Sequence, residues 1–401
     1  MQSSNQALSE PSLDKDWMIG PFVKQDAANP ILGACFGPRF ACPIRKKPVR
    51  WQARAIVGAA AVVRDGKLCL IYHAEDTESG YAGLRGSPGT MRLGLAESED
   101  GLHFTCRPEP VLYPGDDPME DAEWPGGCEI PRLVEGPDGI YYLYYSAWNK
   151  TVTRLAVATS PDLLHWEKRG FAFGQAASGR WRDLWSKAGA VVTTLEHGRL
   201  VAARIHGLYW MYWGESDMFV ATSTNLIDWT PVTWPEEPGA SRRDSQARVE
   251  AARREATRDL QVVQEPRSGM FDSGLVEGGV AVLTEKGIVH LYNAGDADSA
   301  AAEHWRNTSQ VYYSVGQALH DAGDPLRLLD RADHAFLAPD REYEILGAVP
   351  NVVYCTGLAY FKERWWLYYN GADWVVSVAT ADGNTPAAPR SPWPPYHSVA
   401  P

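Results

Sequence analysis

An aromatic run with a polar end recurs five times along this chain. The runs are Leu70-Ile71-Tyr72-His73, Leu143-Tyr144-Tyr145-Ser146, Met211-Tyr212-Trp213-Gly214, His290-Leu291-Tyr292-Asn293 and Leu367-Tyr368-Tyr369-Asn370. After four of them an Asp follows three residues on, at Asp76, Asp217, Asp296 and Asp373. A second motif keeps step: Ser98-Glu99-Asp100-Gly101-Leu102-His103-Phe104, Ser160-Pro161-Asp162-Leu163-Leu164-His165-Trp166 and Ser223-Thr224-Asn225-Leu226-Ile227-Asp228-Trp229, its serines 62 and 63 residues apart. One strand-rich unit per period predicts a repeat architecture, and units of this size predict an all-β chain folded as a β-propeller. Five units give five blades.

A propeller lines one central channel with the innermost strand of every blade, so acids far apart in sequence can meet in one funnel. The repeats place the propeller domain at residues 51–385, with an N-terminal extension over 1–50 that wraps the surface and a Pro-rich tail over 386–401. Gly-containing and polar pairs at Asp65-Gly66, Asp138-Gly139, His197-Gly198, Lys286-Gly287 and Glu363-Arg364 read as hairpin turns between the first two strands of each blade. Discounting one interruption, the serine motif resumes at Ser314 and near Ala381. That interruption lies between Trp229 and Met270. Residues 241–260 are rich in Ala, Arg and Glu, with Asp244/Arg248 and Glu250/Arg254 at helix-supporting spacing, and predict a helical insertion between blades three and four.

A formal net charge of −12 argues against nucleic acid as a partner, because a phosphate backbone selects basic surfaces. No apolar run approaches a membrane span, and Met1-Gln2-Ser3-Ser4-Asn5 opens no signal peptide. Six cysteines without zinc spacing complete the reading of a cytoplasmic chain with reduced thiols and no metal. No phosphate-loop or dinucleotide motif appears, so no cofactor is expected.

The acids at inner-strand positions or run ends are Asp76, Glu129, Glu215, Asp217, Glu277, Asp296 and Asp373. Glu277 enters an apolar strand between glycines in Gly274-Leu275-Val276-Glu277-Gly278-Gly279, where a carboxylate is costly unless it is paired or used. Glu215 follows Trp213-Gly214 at the end of the third run. Cleavage of a glycosidic bond uses two such carboxyl groups. Trp148 offers a face for stacking on a sugar, and Arg132 and Lys187 offer donors for hydroxyls or an anion.

Several segments resemble glycoside hydrolase family 130. They are Arg92-Leu93-Gly94-Leu95-Ala96, Gly127-Cys128-Glu129-Ile130-Pro131-Arg132, Asp324-Pro325-Leu326, Glu344-Ile345-Leu346-Gly347-Ala348, Val349-Pro350-Asn351-Val352-Val353 and Tyr368-Tyr369-Asn370-Gly371-Ala372-Asp373. The resemblance spans roughly residues 50–382 and implies a five-bladed propeller acting on an oligosaccharide substrate. The family holds phosphorylases that break β-mannosides with phosphate and inverting hydrolases that remove β-1,2-linked mannose. Family phosphorylases carry an acidic Asp where this chain has Ile130, which cannot move a proton. The hydrolase branch resembles this chain at Glu215 and Glu277, which implies that these two are the catalytic pair of an inverting, exo-acting hydrolase. Asp76, His73, Glu129, Arg132, Trp148, Lys187 and Asp373 would then hold the sugar. The family's blade-one Asn-Pro-Ala and Tyr-Arg-Ala stand here as Val57-Gly58-Ala59 and Tyr72-His73-Ala74, which implies an altered grip on the terminal sugar. Which Glu is the acid stays open. The alternatives are a β-mannoside phosphorylase and a glycan-binding propeller without catalysis. In an inverting site the two carboxyl groups should stand about 6.5–9.5 Å apart.

Overall fold

A computed structural model of the chain describes residues 15–37, 39–77, 89–235, 256–297 and 312–383. Among these residues the protein is all-β, with α-helix reduced to short turns such as Glu120–Glu123 and Glu342–Ile345. No helix among them is long and apolar enough to cross a membrane.

Strands rich in Val, Leu and Tyr pair antiparallel in five successive units. Unit one runs Ala55–Arg64, Lys67–Glu75, Met91–Ser98 and Thr105–Cys106. Unit two runs Gly127–Glu135, Tyr141–Trp148, Thr153–Ser160 and Glu167–Phe171. Unit three is less regular. Its first strand, Ala190–Glu196, pairs with Leu208–Trp213 only at its start and with an extra strand, Arg199–Ala202, further on; Met218–Ser223 and Thr230–Pro231 follow. Unit four runs Leu275–Thr284, Gly287–Asp296, Tyr312–His320 and Leu328–Arg331. Unit five has Val353–Phe361, Arg364–Gly371 and Val375–Asp382. The aromatic runs are the second strands, as the repeat predicts. The first strands pack on one another in chain order, and that of unit five packs on that of unit one, so the ring closes.

Chemistry at the turns follows backbone demand. Asp65-Gly66 and His197-Gly198 both hold positive φ at two successive residues, the geometry of a two-residue hairpin turn. In unit five the left-handed pair is Lys362-Glu363, one residue earlier than the sequence suggests. The serine motif is a turn. Ser98 Oγ accepts the Asp100 and Gly101 N–H groups while Asp100 Oδ1 accepts those of Leu102 and His103, and the pattern recurs at Ser160/Asp162 and Ser223/Asn225. Run tyrosines reach across to these turns in the next unit: Tyr144 O–H donates to Leu226 O, and Tyr368 O–H donates to Gly101 O. Ser314 is not the unit-four member of the motif. It lies inside the third strand, whose end is His320, and Asp321 takes over the turn by accepting the Gly323 and Asp324 N–H groups.

The N-terminal region is more than a wrapping. Val23–Lys24 pairs with Val375–Asp382 and becomes the fourth strand of unit five. Lys24 Nζ then sits 2.6 Å from Glu344 Oε2, a fully buried carboxylate that also accepts the Tyr369 hydroxyl. Of the predicted helical insertion, residues 241–255 lie outside the described residues, as does the tail 386–401; Leu260 bridges Thr233. Lys24→Met removes one partner of a buried ion pair, so the chain is expected to lose about 3 kcal/mol of stability in urea unfolding. A loss below about 1 kcal/mol, the worth of a surface pair, would show that the N-terminal strand does not lock unit five.

Candidate active site

The end of each aromatic run faces a residue on the first strand of its unit. The pairs are Val57 with His73, Glu129 with Ser146, Glu277 with Asn293, and Tyr354 with Asn370. Just past these positions the register slips in each of the four units, a β-bulge that re-aims the side chain beside it. In two of them the next residue is left-handed: Gly58 at φ 64° and Ile130 at φ 49°. Unit three repeats this at Ala188, φ 57°, just after Lys187, whose carbonyl accepts the Gly214 N–H at the end of the run. Gly58 has no alternative, because a Cβ there would lie 2.4 Å from His73 Nδ1. Ile130 holds a conformation that β-branched residues avoid, a strain of the kind that accompanies functional sites.

These positions converge on one ammonium. Lys187 Nζ is 2.6 Å from Glu215 Oε2 and 3.6 Å from Glu277 Oε1. The Tyr354 hydroxyl donates to the same Glu277 oxygen at 2.6 Å. Burial raises the Glu277 pKa, and the Glu215 charge adds to the rise against the pull of Lys187, Tyr354 and Arg132. For Lys187, burial works to lower the pKa, but Glu215 and Glu277 outweigh it and the net shift is well upward. Two more carboxyl groups share the field. Burial pushes Glu129 up to about 7, opposed by Lys187 and Lys150 and reinforced by Glu75 and Asp373. Burial pushes Asp373 up to about 6, opposed by the Asn370 amide and Lys187. Sharing one ammonium keeps the contacting oxygens of Glu215 and Glu277 within about 6 Å of each other, at or below the lower edge of the range for an inverting pair.

Of the predicted site residues, Lys187, Glu215 and Glu277 are therefore in contact, and Glu129 and Asp373 lie within the field of Lys187. The other four are held by the protein. Asp76 is fully buried, its Oδ2 accepting from Arg92 at 2.7 Å and its Oδ1 from the Thr90 N–H. His73 is buried, with Nδ1 accepting the Ile130 N–H, and burial followed by the Arg132 charge lowers its pKa to about 3, so the ring is neutral. Arg132 donates from Nη2 to Gly278 O at 2.6 Å and from Nε to Gly279 O at 3.0 Å, with Nη2 also reaching the Tyr354 hydroxyl. It braces the bulge beneath Glu277. Trp148 has the Lys150 ammonium 4.0 Å from its ring centroid, which covers one face.

Tyr354 and Tyr313 escaped the sequence reading. Tyr354 stands opposite Asn370 as Glu277 stands opposite Asn293, so the strand register was the signal. Tyr313 feels the charges of Glu277, Lys187, Glu215 and Asp373 and lies 6.2 Å from the Tyr354 ring. Among the described residues no cluster of His, Cys, Asp and Glu is arranged to hold a metal ion. What the cluster can do is move protons: it holds carboxyl groups of different burial around one fixed cation.

Comparisons with known proteins bear on this geometry. A family model described as beta-1,4-mannooligosaccharide phosphorylase matches residues 79–384. The chain is similar to the 1,2-beta-oligomannan phosphorylase of Thermoanaerobacter sp. (strain X514), 26% identical over 335 residues that cover 82% of this chain and 90% of that one. It is similar to the crystal structure of a glycosyl hydrolase from Bacteroides ovatus, with 37% identity, a TM-score of 0.82, and coverage of 94% of this chain and 98% of that one. The same figures hold for a structure reported under the finding that the GH130 family of mannoside phosphorylases contains glycoside hydrolases targeting beta-1,2 mannosidic linkages in Candida mannan.

The raised pKa of Glu129 has a cost for the fold. An unfolded Glu titrates near about 4.3, so between there and about 7 the folded chain binds the extra proton and stability falls as pH rises. Glu129→Gln lacks this titration. It is expected to exceed the parent in stability by up to about 3 kcal/mol above pH 7, with the advantage vanishing near pH 4, in urea unfolding at the two pH values. An advantage independent of pH would mean that Glu129 is not the group held protonated.

Proposed function

Because the chain belongs to glycoside hydrolase family 130, whose members act on glycosides, we propose that it is an inverting, exo-acting glycosidase that cleaves β-linked mannosides with water. The observation that carries the reading as a two-carboxylate glycosidase is that Glu215 and Glu277 both contact the Lys187 ammonium. Inversion is carried over from the resemblance of these two residues to the family's hydrolase branch. The five units are read as the blades of a five-bladed β-propeller, with the acid cluster at the mouth of its channel. The stretch 241–260 is read as a helical insertion between the third and fourth blades.

Glu277 is the general acid. It is buried, its pKa is raised, and Oε1 already takes the Tyr354 and Lys187 contacts, which leaves Oε2 to carry the proton. Glu215 is the carboxylate of the ion pair and more exposed, so it serves as the base that takes a proton from water. Arg132 and Tyr354 position Glu277 through the bulge carbonyls and the shared hydroxyl. Glu129 and Asp373 accept from sugar hydroxyls, and His73 is left with Nε2 for the sugar. Mannose with a β-1,2 linkage is the substrate taken from the names of the relatives.

Two facts support water over phosphate. Phosphorolysis calls for cations that meet a phosphate. Among the described residues, Lys187 faces two glutamates, Arg132 faces backbone carbonyls, and Lys150 donates to the Gly89 carbonyl beside the Trp148 ring. The chain is also 37% identical to structures reported as hydrolases and 26% identical to the oligomannan phosphorylase. Phosphorolysis is the second reading, favoured by the description of the matching family model.

Incubation of β-1,2-linked mannooligosaccharides with and without phosphate, followed by product analysis, is expected to give free mannose at a rate independent of phosphate. Sugar 1-phosphate as the main product would overturn the reading. Glu215→Gln and Glu277→Gln keep shape but not proton transfer, so each is expected to lower turnover by about 10²-fold or more while substrate binding survives. Near-parental turnover in both would remove the pair from the chemistry.

A further inference from the structure

Tyr313 brings to the acid cluster a hydroxyl that the protein does not use. It lies on the third strand of unit four, opposite Gly295, and its N–H donates to Asn351 O just before the first strand of unit five. Its ring stands 6.2 Å from that of Tyr354, whose hydroxyl donates to Glu277 Oε1 at 2.6 Å. The charges that act on the Tyr313 hydroxyl are, in order, those of Glu277, Lys187, Glu215 and Asp373. Other donors around these acids are engaged. Lys187 Nζ meets Glu215 and Glu277, Arg132 donates to the Gly278 and Gly279 carbonyls, and Asn370 Nδ2 reaches Asp373 Oδ1 at 3.4 Å. The Tyr313 hydroxyl makes no hydrogen bond to any described residue. It is not sealed off either: the residue is half-buried, and the oxygen keeps contact with solvent.

Resting on the reading above, we propose that Tyr313 determines specificity by touching the substrate: its hydroxyl donates to a hydroxyl of the terminal sugar, which in turn donates to Asp373. A sugar hydroxyl is at once a donor and an acceptor. An ionised carboxylate meets only its donor half, and a buried lone pair left unmet costs free energy. Tyr313 supplies the missing donor. Of the two carboxyl groups assigned to sugar hydroxyls, Asp373 is the one whose charge acts on Tyr313, which selects it as the second half of the pair. Burial and then the Glu277 charge raise the Tyr313 pKa against the pull of Lys187, so the phenol stays protonated and serves as a donor, not as a base or nucleophile. Burial pushes Asp373 up only to about 6, so near neutral pH it is an acceptor. No proton changes hands in this contact. A sugar without the hydroxyl leaves both protein groups unmet, which is how a site built on hydrogen bonds rejects a near relative of its substrate.

The test pairs a variant with a change of substrate. Tyr313→Phe removes the hydroxyl and keeps the ring. It is assayed beside the parent on a β-1,2-mannooligosaccharide and on analogues that each lack one hydroxyl of the terminal sugar. On the full substrate the variant is expected to lose about tenfold in kcat/KM, the range of one hydrogen bond. On one analogue the parent is expected to be slow and the variant no slower, whereas on the others the two losses multiply. Asp373→Asn is expected to single out the same analogue. Losses that multiply on every analogue, or an unchanged kcat/KM on the full substrate, would overturn the proposal, and a different analogue for Asp373→Asn would overturn the pairing. A shifted pH profile of kcat in Tyr313→Phe would overturn it too, because the hydroxyl would then act through Glu277 and not on the sugar. The urea midpoint of Tyr313→Phe is expected to match the parent's, since no protein group loses a partner; a clear drop would assign the hydroxyl to the fold. A parent that cleaves no β-mannoside would strike the underlying reading, and that is seen before any variant is made. A parent that cleaves them beside an unaffected Tyr313→Phe strikes this proposal alone.

Discussion

The Lys187 ammonium is the contact on which the site depends. Carboxyl groups from four different units, Glu129, Glu215, Glu277 and Asp373, lie within its field. Two unit charges 4 Å apart interact by about 4 kcal/mol at an effective dielectric constant of 20, so several carboxylates cannot share a half-buried mouth without a cation. Lys187 lowers the pKa of Glu277, Glu129 and Asp373 while burial raises all three, and the balance leaves groups that differ in how readily they hold a proton. An acid and a base in one pocket are the outcome of that balance.

Backbone geometry delivers these groups. The slip in register that follows Val57, Glu129 and Glu277, and the left-handed residues after Val57, Glu129 and Lys187, re-aim the side chains beside them at the start of each unit. A bulge also frees carbonyls that would be buried without donors. Arg132 answers this at Gly278 and Gly279, and so ties unit two to unit four directly beneath Glu277. Tyr354 joins unit five to the same point through its hydroxyl. An Arg at this position reads in sequence as a sugar or anion donor, because a guanidinium fork suits either partner. Only the fold shows that the carbonyls come first.

Much of this was legible beforehand because it obeys a period. The second strands, most hairpin turns and the serine turns follow from local residue chemistry, and Glu277 stood out as a charge in an apolar strand. What sequence could not supply was register, since a one-residue slip exchanges the two faces of a strand. Tyr354 and Tyr313 were hidden for that reason in a chain already rich in tyrosine. The run-end acids show the same limit. Asp76 and Asp296 open long connections and bind locally, to Arg92 and Ser273. In unit five the connection is a tight turn with Ala372 and Asp373 both left-handed, and there the run-end Asp comes within the field of Lys187. The N-terminal strand was missed because a two-residue strand carries no periodic signal, and its pairing with Val375–Asp382 is purely tertiary.

The acid cluster also has a counterweight elsewhere in the fold. His290 and His320 are fully buried, His290 stacked on Tyr212 at 4.8 Å and His320 tilted against it at 4.5 Å, and they have no hydrogen-bond partner for any of their four ring nitrogens among the described residues. Burial first, then neighbouring charge from Arg331, and from His320 and Arg132 as well in the case of His290, hold their pKa values down, to about 3 for His320. An unfolded His takes up a proton below about 6.5, so these two cost the fold stability as pH falls. Glu129 and Asp373, with pKa values raised to about 7 and about 6, cost it stability as pH rises from the ordinary carboxyl range. Between about pH 4 and pH 6.5 the two sets act with opposite sign. The mouth can therefore change its protonation across that range while the buried imidazoles offset the tilt its carboxyl groups would impose on the folding equilibrium.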